Sequence, residues 1–275
     1  MLIGDKKHVA SINEKGLVVT GGMEKVLRIK ADTQIRELPP NSLILLTTKV
    51  HDSQKALQGV AKLLRNDTTI LILQNGIGNE ELVKAVVAGK PHLERGVLHF
   101  GAEFLKPGEV MIVPGWIVLG NTEKGKEIAK LFNESGLKTI VTDDLKKDIW
   151  TKLVINCVIN PLTAILEARD CEIVVPSLDK LRNGIVQECV EVAKTEGVIF
   201  DRGLSKSIDM EISGLKNYSS MRQDLIKGRK TEIDFLNGKI AEIGKKRGIP
   251  TPLNETLISL IKYLEEANAR RVEGK

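Results

Sequence analysis

Aromatic residues make up only 3% of this chain, too few to build the stacking platform on which single-stranded nucleic acids are held. The net charge of +5 is mild. Its short basic clusters, Lys6-Lys7, Lys146-Lys147, Arg229-Lys230 and Lys245-Lys246-Arg247, have no aromatics interleaved. No nucleic-acid partner is expected, and a small anionic substrate suits the balance better. Cys157, Cys171 and Cys189 are an odd set without a Cys-x-x-Cys pair, which argues against a disulfide framework or a zinc centre. The four histidines are scattered with no His-x-x-x-His pair, so no metal site is expected. No apolar run reaches the roughly 18 residues of a membrane span, and the N-terminus carries no signal-peptide core. The expectation is a cytoplasmic protein without a membrane partner.

With 275 residues, 42% of them hydrophobic, the chain has the length for two domains and a substantial core. Up to about Thr142, short apolar runs alternate with helical periods. Ser42–Thr47 and Thr68–Leu73 are continuous Leu, Ile and Thr runs typical of central parallel strands. Asp52–Leu64 between them carries apolar residues at a helical period. Further strands are expected at Gly96–Ala102, Glu109–Val113, Trp116–Leu119 and Thr139–Val141, and helices at Asn79–Val87 and Glu123–Ser135. After Asp144 the strand signals stop. Lys146–Ala168, Ser177–Glu196, Leu204–Leu215, Ser220–Lys227, Thr231–Arg247 and Leu253–Ala269 all read as helices. The expected organisation is a doubly wound α/β domain with an antiparallel edge over 1–143, followed by an all-α domain over 144–275.

The first of those helices holds the chemistry. Lys152, Asn156 and Asn160 recur at four-residue spacing and fall within an arc of roughly 80°, while Leu153, Val154, Ile155, Val158 and Ile159 fill the other faces. An ammonium and two carboxamides on an otherwise apolar helix need polar partners, because burying them unpaired is costly. A bound polar ligand would supply them; a solvated stripe on a core helix is the alternative. Pro161 is expected to kink the helix after Asn160 and leave the Cys157 carbonyl unpaired. Ser220-x-x-Gln223 has the form of a capping box, and Thr231 can cap the next helix with Glu232 in its first turn.

A dinucleotide-binding sheet opens with a strand, a Gly-x-Gly-x-x-Gly turn and a helix. Neither Gly21-Gly22 nor Gly76-Ile-Gly78 has that spacing. Met1–Asp5 reads as the end of a strand, with a helix starting at about Lys6. The expectation is a chain lacking one β–α unit of about 30 residues and, with it, much of the grip on a pyrophosphate.

Leu46-Thr-Thr-Lys49, Gln74-Asn-Gly-Ile-Gly78, Trp150 to Ala164, Asn217-Tyr-Ser-Ser-Met-Arg-Gln-Asp224 and Thr231-Glu-Ile-Asp-Phe-Leu-Asn-Gly238 together resemble the ketopantoate reductase (2-dehydropantoate 2-reductase) family. They stand in that family's order, and the resemblance covers essentially the whole chain. It implies a Rossmann-like parallel-sheet domain, here N-terminally truncated, followed by an all-α C-terminal domain. It also implies a cytoplasmic oxidoreductase using NADPH or NADH. By resemblance Lys152 is the proton donor, and Glu232 lies in the active site near the cofactor and the lysine. Asn75, Asn156, Asn160, Asn217, Ser220 and Asp170 are the substrate contacts. Asp5, Lys49, Asn75, Gly76, Ala102 and Glu232 are the cofactor contacts, with Ala102 expected to end the Gly96 strand. Asp5 stands where an acid accepts from a ribose 2′-hydroxyl and favours NADH, although Lys6 could meet a 2′-phosphate.

The residue types suit the chemistry. Reducing a 2-keto acid takes a hydride at the carbonyl carbon, a proton at its oxygen and groups that fix the carboxylate. A partly buried lysine can polarise a carbonyl and yield a proton, and a carboxamide both donates and accepts. The implied reaction is NAD(P)H-dependent reduction of ketopantoate to pantoate, in pantothenate and coenzyme A synthesis. The expected substrate is a small anionic 2-keto acid, and a homodimer is left open. A reductase of another small 2-keto acid, or a non-catalytic homologue unable to bind the dinucleotide, are the alternatives.

Overall fold

The computed structural model describes residues 1–273, with side chains to residue 270. By backbone contacts the chain divides into two units. One comprises Met1–Gln74 and Asn79–Leu145, the other Asn75–Gly78 and the chain from Lys146 onward.

The N-terminal unit begins with β1 (Leu2–Ile3), α1 (Lys6–Lys15), β2 (Leu17–Gly21), β3 (Lys25–Leu27) and β4 (Ala31–Asp32). β5 (Leu43–Leu46), α2 (Ser53–Gln58), β6 (Thr69–Ile72) and α3 (Asn79–Val87) follow. Then come β7 (His92–Leu98), β8 (Gly101–Lys106), β9 (Glu109–Val113), β10 (Ile117–Gly120), α4 (Glu123–Glu134) and β11 (Thr139–Thr142). β5, β6 and β7 run parallel in a five-stranded sheet of order β11-β10-β7-β6-β5, in which β10 is antiparallel to β7 and parallel to β11. β6 is wholly buried because α3 and α4 contribute apolar residues over the sheet: Val83 and Val87 on one side, Ile128, Ala129 and Phe132 on the other. Thr122 starts α4 by accepting from the Gly125 amide at 2.8 Å, an N-cap that satisfies one of the helix's orphan donors.

Four sequence expectations need correction here. β5 is not a central strand; it closes one edge of the sheet, with Leu45 45% exposed. Helix Asp52–Leu64 is broken into a 3-10 turn Val50–Asp52, α2 and a second 3-10 turn Ala61–Leu63. The antiparallel junction lies inside the sheet, not at its margin. Gly96–Ala102 is not one strand: β7 follows β10 to the His99–Trp116 hydrogen bond, and the chain then enters a second sheet at Gly101. That sheet has the order β3-β2-β9-β8 and joins residues some ninety positions apart, as in Val18↔Glu109. β1 pairs only with β4, in parallel.

The second unit contains α5 (Leu145–Ile165, whose first residue belongs to the N-terminal unit), α6 (Asp179–Thr195), α7 (Leu204–Ser213), α8 (Ser220–Ile226), α9 (Asn237–Arg247) and α10 (Pro252–Glu273). One apolar core joins Val154 and Val158 of α5 to Ile185 and Val192 of α6, Ile240 of α9 and Ile261 of α10. α5 runs without a break across Pro161. The Cys157 carbonyl that the proline cannot serve is taken by Asn237, whose Nδ2 donates to it at 3.0 Å, so it is not unpaired. The helix expected over Thr231–Arg247 starts only at Asn237, because Leu236 leaves helical geometry at φ −109°, ψ −103°. Thr231 does not cap α9: its hydroxyl accepts from the Ile233 amide at 3.3 Å, while the residue at the start of the separate 3-10 turn Ile233–Phe235 is Glu232, which makes no side-chain cap bond.

Candidate active site

Lys152, Asn156 and Asn160 lie at i, i+4 and i+8 of α5 and therefore on one face. The helix is buried almost throughout from Leu153 to Ala164. Asn156 and Asn160 are buried with it, and Lys152 is half-buried. Asn156 Nδ2 donates to Asn75 Oδ1 at 3.5 Å, a long hydrogen bond. The Asn160 carboxamide, only 4% exposed, makes no hydrogen bond among the described residues. Lys152 likewise makes neither a hydrogen bond nor an ion pair among them. Burial pushes the Lys152 ammonium below its ordinary pKa, and the charges of Glu211 and Asp170 oppose that fall.

Asp170 opens a 3-10 turn, Asp170–Ile173, after α5. Its Oδ2 accepts from Asn217 Nδ2 at 2.7 Å, and its own amide donates to the Asn217 carbonyl at 3.1 Å. Oδ1 is buried without a partner. Burial pushes this carboxyl up to about 7, against the Asn217 hydrogen bond and the charges of Lys152 and Arg222. α8 begins just beyond Asn217. Its cap is Ser219, which accepts from the Arg222 amide at 3.2 Å, so the Ser220–Gln223 capping box is not formed and Ser220 is the first helical residue. Thr163 Oγ1, one turn beyond Asn160, donates to Ser219 Oγ at 2.7 Å and ties α5 to this corner.

Arg222, within the Asn217–Asp224 stretch, is a further polar residue at this corner that its sequence position alone does not mark out. Its guanidinium lies 3.8 Å from the Tyr218 ring centroid, and its Nε and Nη1 are buried without partners. Arg169 flanks the same ring, donating from Nε to Tyr218 Oη at 3.4 Å. Its only advance signal was an arginine two residues beyond the Ser219-Ser220 pair.

Glu232 is buried, but it precedes the 3-10 turn instead of occupying a helix's first turn. Gly76 has φ +82°, and a side chain there would meet the Phe235 carbonyl at 2.4 Å. Its lack of a Cβ thus serves a close backbone approach within the helical unit. Asn75, Asn156, Asn160, Lys152, Asp170, Asn217, Ser220 and Glu232 all belong to that unit.

In the N-terminal unit, Lys49 follows β5 and leads into a 3-10 turn. Gln74, at the end of β6, fixes the adjoining loop by donating from Nε2 to the Thr48 carbonyl at 2.7 Å and to Ser53 Oγ at 2.7 Å. Gln74 Oε1 is buried with no partner. Asp5, two residues beyond β1, is the N-cap of α1, its Oδ1 accepting from the Lys7 and His8 amides at 3.0 Å each. Ala102 does not end the Gly96 strand; it is an exposed residue of β8, paired with Ile112 in the second sheet.

A Rossmann-like α/β unit followed by an all-helical unit with a lysine–asparagine face defines a two-part structural class. Family models place it further: "Ketopantoate reductase PanE/ApbA" matches residues 1–124 and "Ketopantoate reductase PanE/ApbA C terminal" matches residues 144–265. The chain belongs to the ketopantoate reductase family. It is 36% identical over 272 residues to the 2-dehydropantoate 2-reductase of Pyrococcus horikoshii, covering 96% of this chain and 89% of that protein. The PanE/ApbA family ketopantoate reductase of Ralstonia eutropha superposes with a TM-score of 0.88 at 27% identity, covering 98% of this chain and 91% of that one. A ternary structure of D-mandelate dehydrogenase with NADH and anilino(oxo)acetate gives 0.86 at 30% identity, covering 97% and 90%. Among the described residues no helix is long and apolar enough to cross a membrane.

Proposed function

We propose that this chain reduces ketopantoate to pantoate with NAD(P)H, the reaction named by its curated relatives. The observation that carries the reading is the α5 face. A buried carboxamide and a half-buried ammonium without partners are what a polar ligand would satisfy. That the spacing falls on one face of a single helix makes them address one small molecule.

NAD(P)H fits what the chain presents at the carboxyl ends of β5 and β6, the edge at which open α/β sheets take ligands. Gln74 Oε1 there is a buried acceptor without a donor, and Lys49 follows the neighbouring strand. Asp5, Lys49 and Ala102 of the N-terminal unit, and Asn75, Gly76 and Glu232 of the helical unit, are the proposed cofactor contacts. Asp5 remains an acceptor suited to a ribose hydroxyl. Bound NAD(P)H would supply the hydride that reduces the carbonyl carbon.

The chain's own residues do the rest. Lys152, with no partner of its own, aims its N–H donors at the carbonyl oxygen, polarises it and delivers the proton as charge develops there. Its lowered pKa eases that release. Asn156, held from the other side by Asn75, and Asn160 orient the substrate's oxygens. Asn217, Ser220 and Asp170 line the same helical unit as further substrate contacts, and Glu232 acts as a second catalytic group. The substrate is a small anionic 2-keto acid.

The test is ketopantoate-dependent oxidation of NADPH and of NADH by the purified chain, with pantoate identified by mass spectrometry and ketopantoate binding measured by calorimetry. Turnover and binding lost together in Asn160→Leu support the reading. A wild-type chain that neither binds ketopantoate nor turns it over, yet reduces an aryl 2-keto acid, contradicts it.

A further inference from the structure

A 2-keto acid carries a carboxylate, and the α5 face offers it no cation to spare. Lys152 is given to the carbonyl oxygen, and Asn156 and Asn160 are neutral carboxamides. An anion that leaves water needs a charged partner or several donors. Two arginines of the helical unit are treated in opposite ways by the fold. Arg182 of α6 is committed to structure. Its Nε and Nη2 donate to Asp209 at 2.9 Å each, Nη2 also to Asp179 at 2.7 Å, and Nη1 to the Ile173 and Val175 carbonyls at 2.6 and 3.1 Å. Arg222 of α8 is not. Its Nε and Nη1 are buried with no hydrogen-bond partner, and it forms no ion pair among the described residues.

The Arg222 guanidinium is nevertheless held in place. It lies 3.8 Å from the Tyr218 ring centroid, a cation–π contact, and Arg169 Nε anchors that ring by donating to Tyr218 Oη at 3.4 Å. The Arg222 amide donates to Ser219 Oγ at 3.2 Å, the same oxygen that receives Thr163 Oγ1 at 2.7 Å. Thr163 Oγ1 in turn stands 3.4 Å from the Asn160 carbonyl. Arg222 therefore belongs to the corner where α8 is tied to α5, one turn past Asn160. A guanidinium with desolvated, unpartnered donors, braced on a fixed ring, suits a carboxylate: it is weakly hydrated, permanently charged and matched to that anion's geometry. We propose that Arg222 binds the carboxylate of the 2-keto acid substrate, with Tyr218 as the positioning residue that holds its guanidinium for the purpose. This rests on the reading of the α5 face as a 2-keto acid site, and the two are separable by experiment.

The probes are ketopantoate, trimethylpyruvate (ketopantoate without its hydroxyl) and the methyl ester of trimethylpyruvate, which lacks the anionic group. In arginine-labelled wild-type protein the Arg222 Nε–H signal, assigned by its loss in Arg222→Lys, is expected to move on addition of either acid and to stay in place with the ester. In turnover with NAD(P)H, Arg222→Leu is expected to lower the acid-over-ester ratio of kcat/KM at least about tenfold, as loss of a charge-assisted hydrogen bond requires. The loss should lie in a raised KM for the acid more than in kcat. Arg222→Lys is expected to restore part of the ratio, and Tyr218→Leu to lower it by less than Arg222→Leu does. An Arg222 signal unmoved by ketopantoate that calorimetry shows to be bound, or an unchanged ratio in folded Arg222→Leu, overturns the proposal and leaves the reductase reading standing. A signal that moves with the acids in a chain that reduces neither keeps the carboxylate site and removes the reductase reading. Ketopantoate that gives neither heat nor a shift refutes both.

Discussion

Replacing Asn237 by alanine removes the side chain that repairs α5 at Pro161. Nδ2 of Asn237 donates to the Cys157 carbonyl at 3.0 Å and to Asn254 Oδ1 at 2.9 Å, in a fully buried position. The substitution leaves the buried Cys157 carbonyl without a donor, at about 1–3 kcal/mol, and leaves Asn254 Oδ1 with only the weak 3.8 Å bond from Cys189 Sγ. It also removes one orphan, since Asn237 Oδ1 has no partner of its own, and opens a small void whose cost adds to the balance. The net expectation is a loss of about 2–4 kcal/mol. Trp150, buried in α5, reports unfolding of the helical unit by fluorescence in urea, with Trp116→Phe as the background to remove the other tryptophan. Asn237→Asp sets a carboxylate against a carbonyl and should be the worse variant at neutral pH, recovering in acid as the carboxyl protonates. A loss below about 1 kcal/mol in Asn237→Ala would refute the claim that this side chain stands in for the hydrogen bond the proline cannot make.

Other expectations bear on the α5 face and on Asp170. Asn160→Leu conserves volume and removes a carboxamide that makes no hydrogen bond, so stability in urea should be unchanged or rise by about 1 kcal/mol, while kcat/KM for ketopantoate falls at least about tenfold, as loss of a substrate hydrogen bond requires; the reverse pattern would make Asn160 structural. Asp170 titrates near 7 in the folded protein against an ordinary 3.8, so below about pH 4 it is protonated in both states, and between about 4 and 7 the folded state alone holds the proton. Stability should therefore fall as pH rises through that window, by up to about 4 kcal/mol from this group. Asp170→Asn should abolish that slope in urea titrations run at several pH values, and an identical slope in both proteins would contradict the assignment.

The parts of this molecule written in local spacing were legible before the fold was known. α3 and β9 begin and end where their periods do, and the Lys152–Asn156–Asn160 face follows from helical geometry once α5 is read as a helix. What was not legible depends on partners distant in sequence. The donor for Cys157 is Asn237, 80 residues on. The second sheet pairs β2 with β9 across some ninety residues, and neither strand signals its partner. β5 has the same apolar composition as β6, yet only pairing decides that one is an edge and the other is central. At Ser219-Ser220 either hydroxyl can cap a helix, and the backbone entering α8 selects the first. Leu236 looks like an ordinary helical residue, but its backbone divides the Thr231–Arg247 period into a turn and a helix. Arg222 was not legible because an arginine on a short helix is usually solvated; here its guanidinium lies over the Tyr218 ring with Nε and Nη1 buried.

Lys152 is the residue on which the proposed chemistry turns, and its removal is the most direct test. The measurement is kcat/KM for ketopantoate reduction by Lys152→Ala beside the wild-type chain, with cofactor affinity and urea stability taken on the same samples. General acid catalysis contributes roughly 10²–10⁴-fold, and the ammonium makes no bond that holds the fold. Turnover should therefore fall at least about a hundredfold, with stability and cofactor affinity close to wild type. Retention of more than about a tenth of wild-type kcat/KM would contradict the account, because a proton donor in the transition state cannot be dispensed with so cheaply.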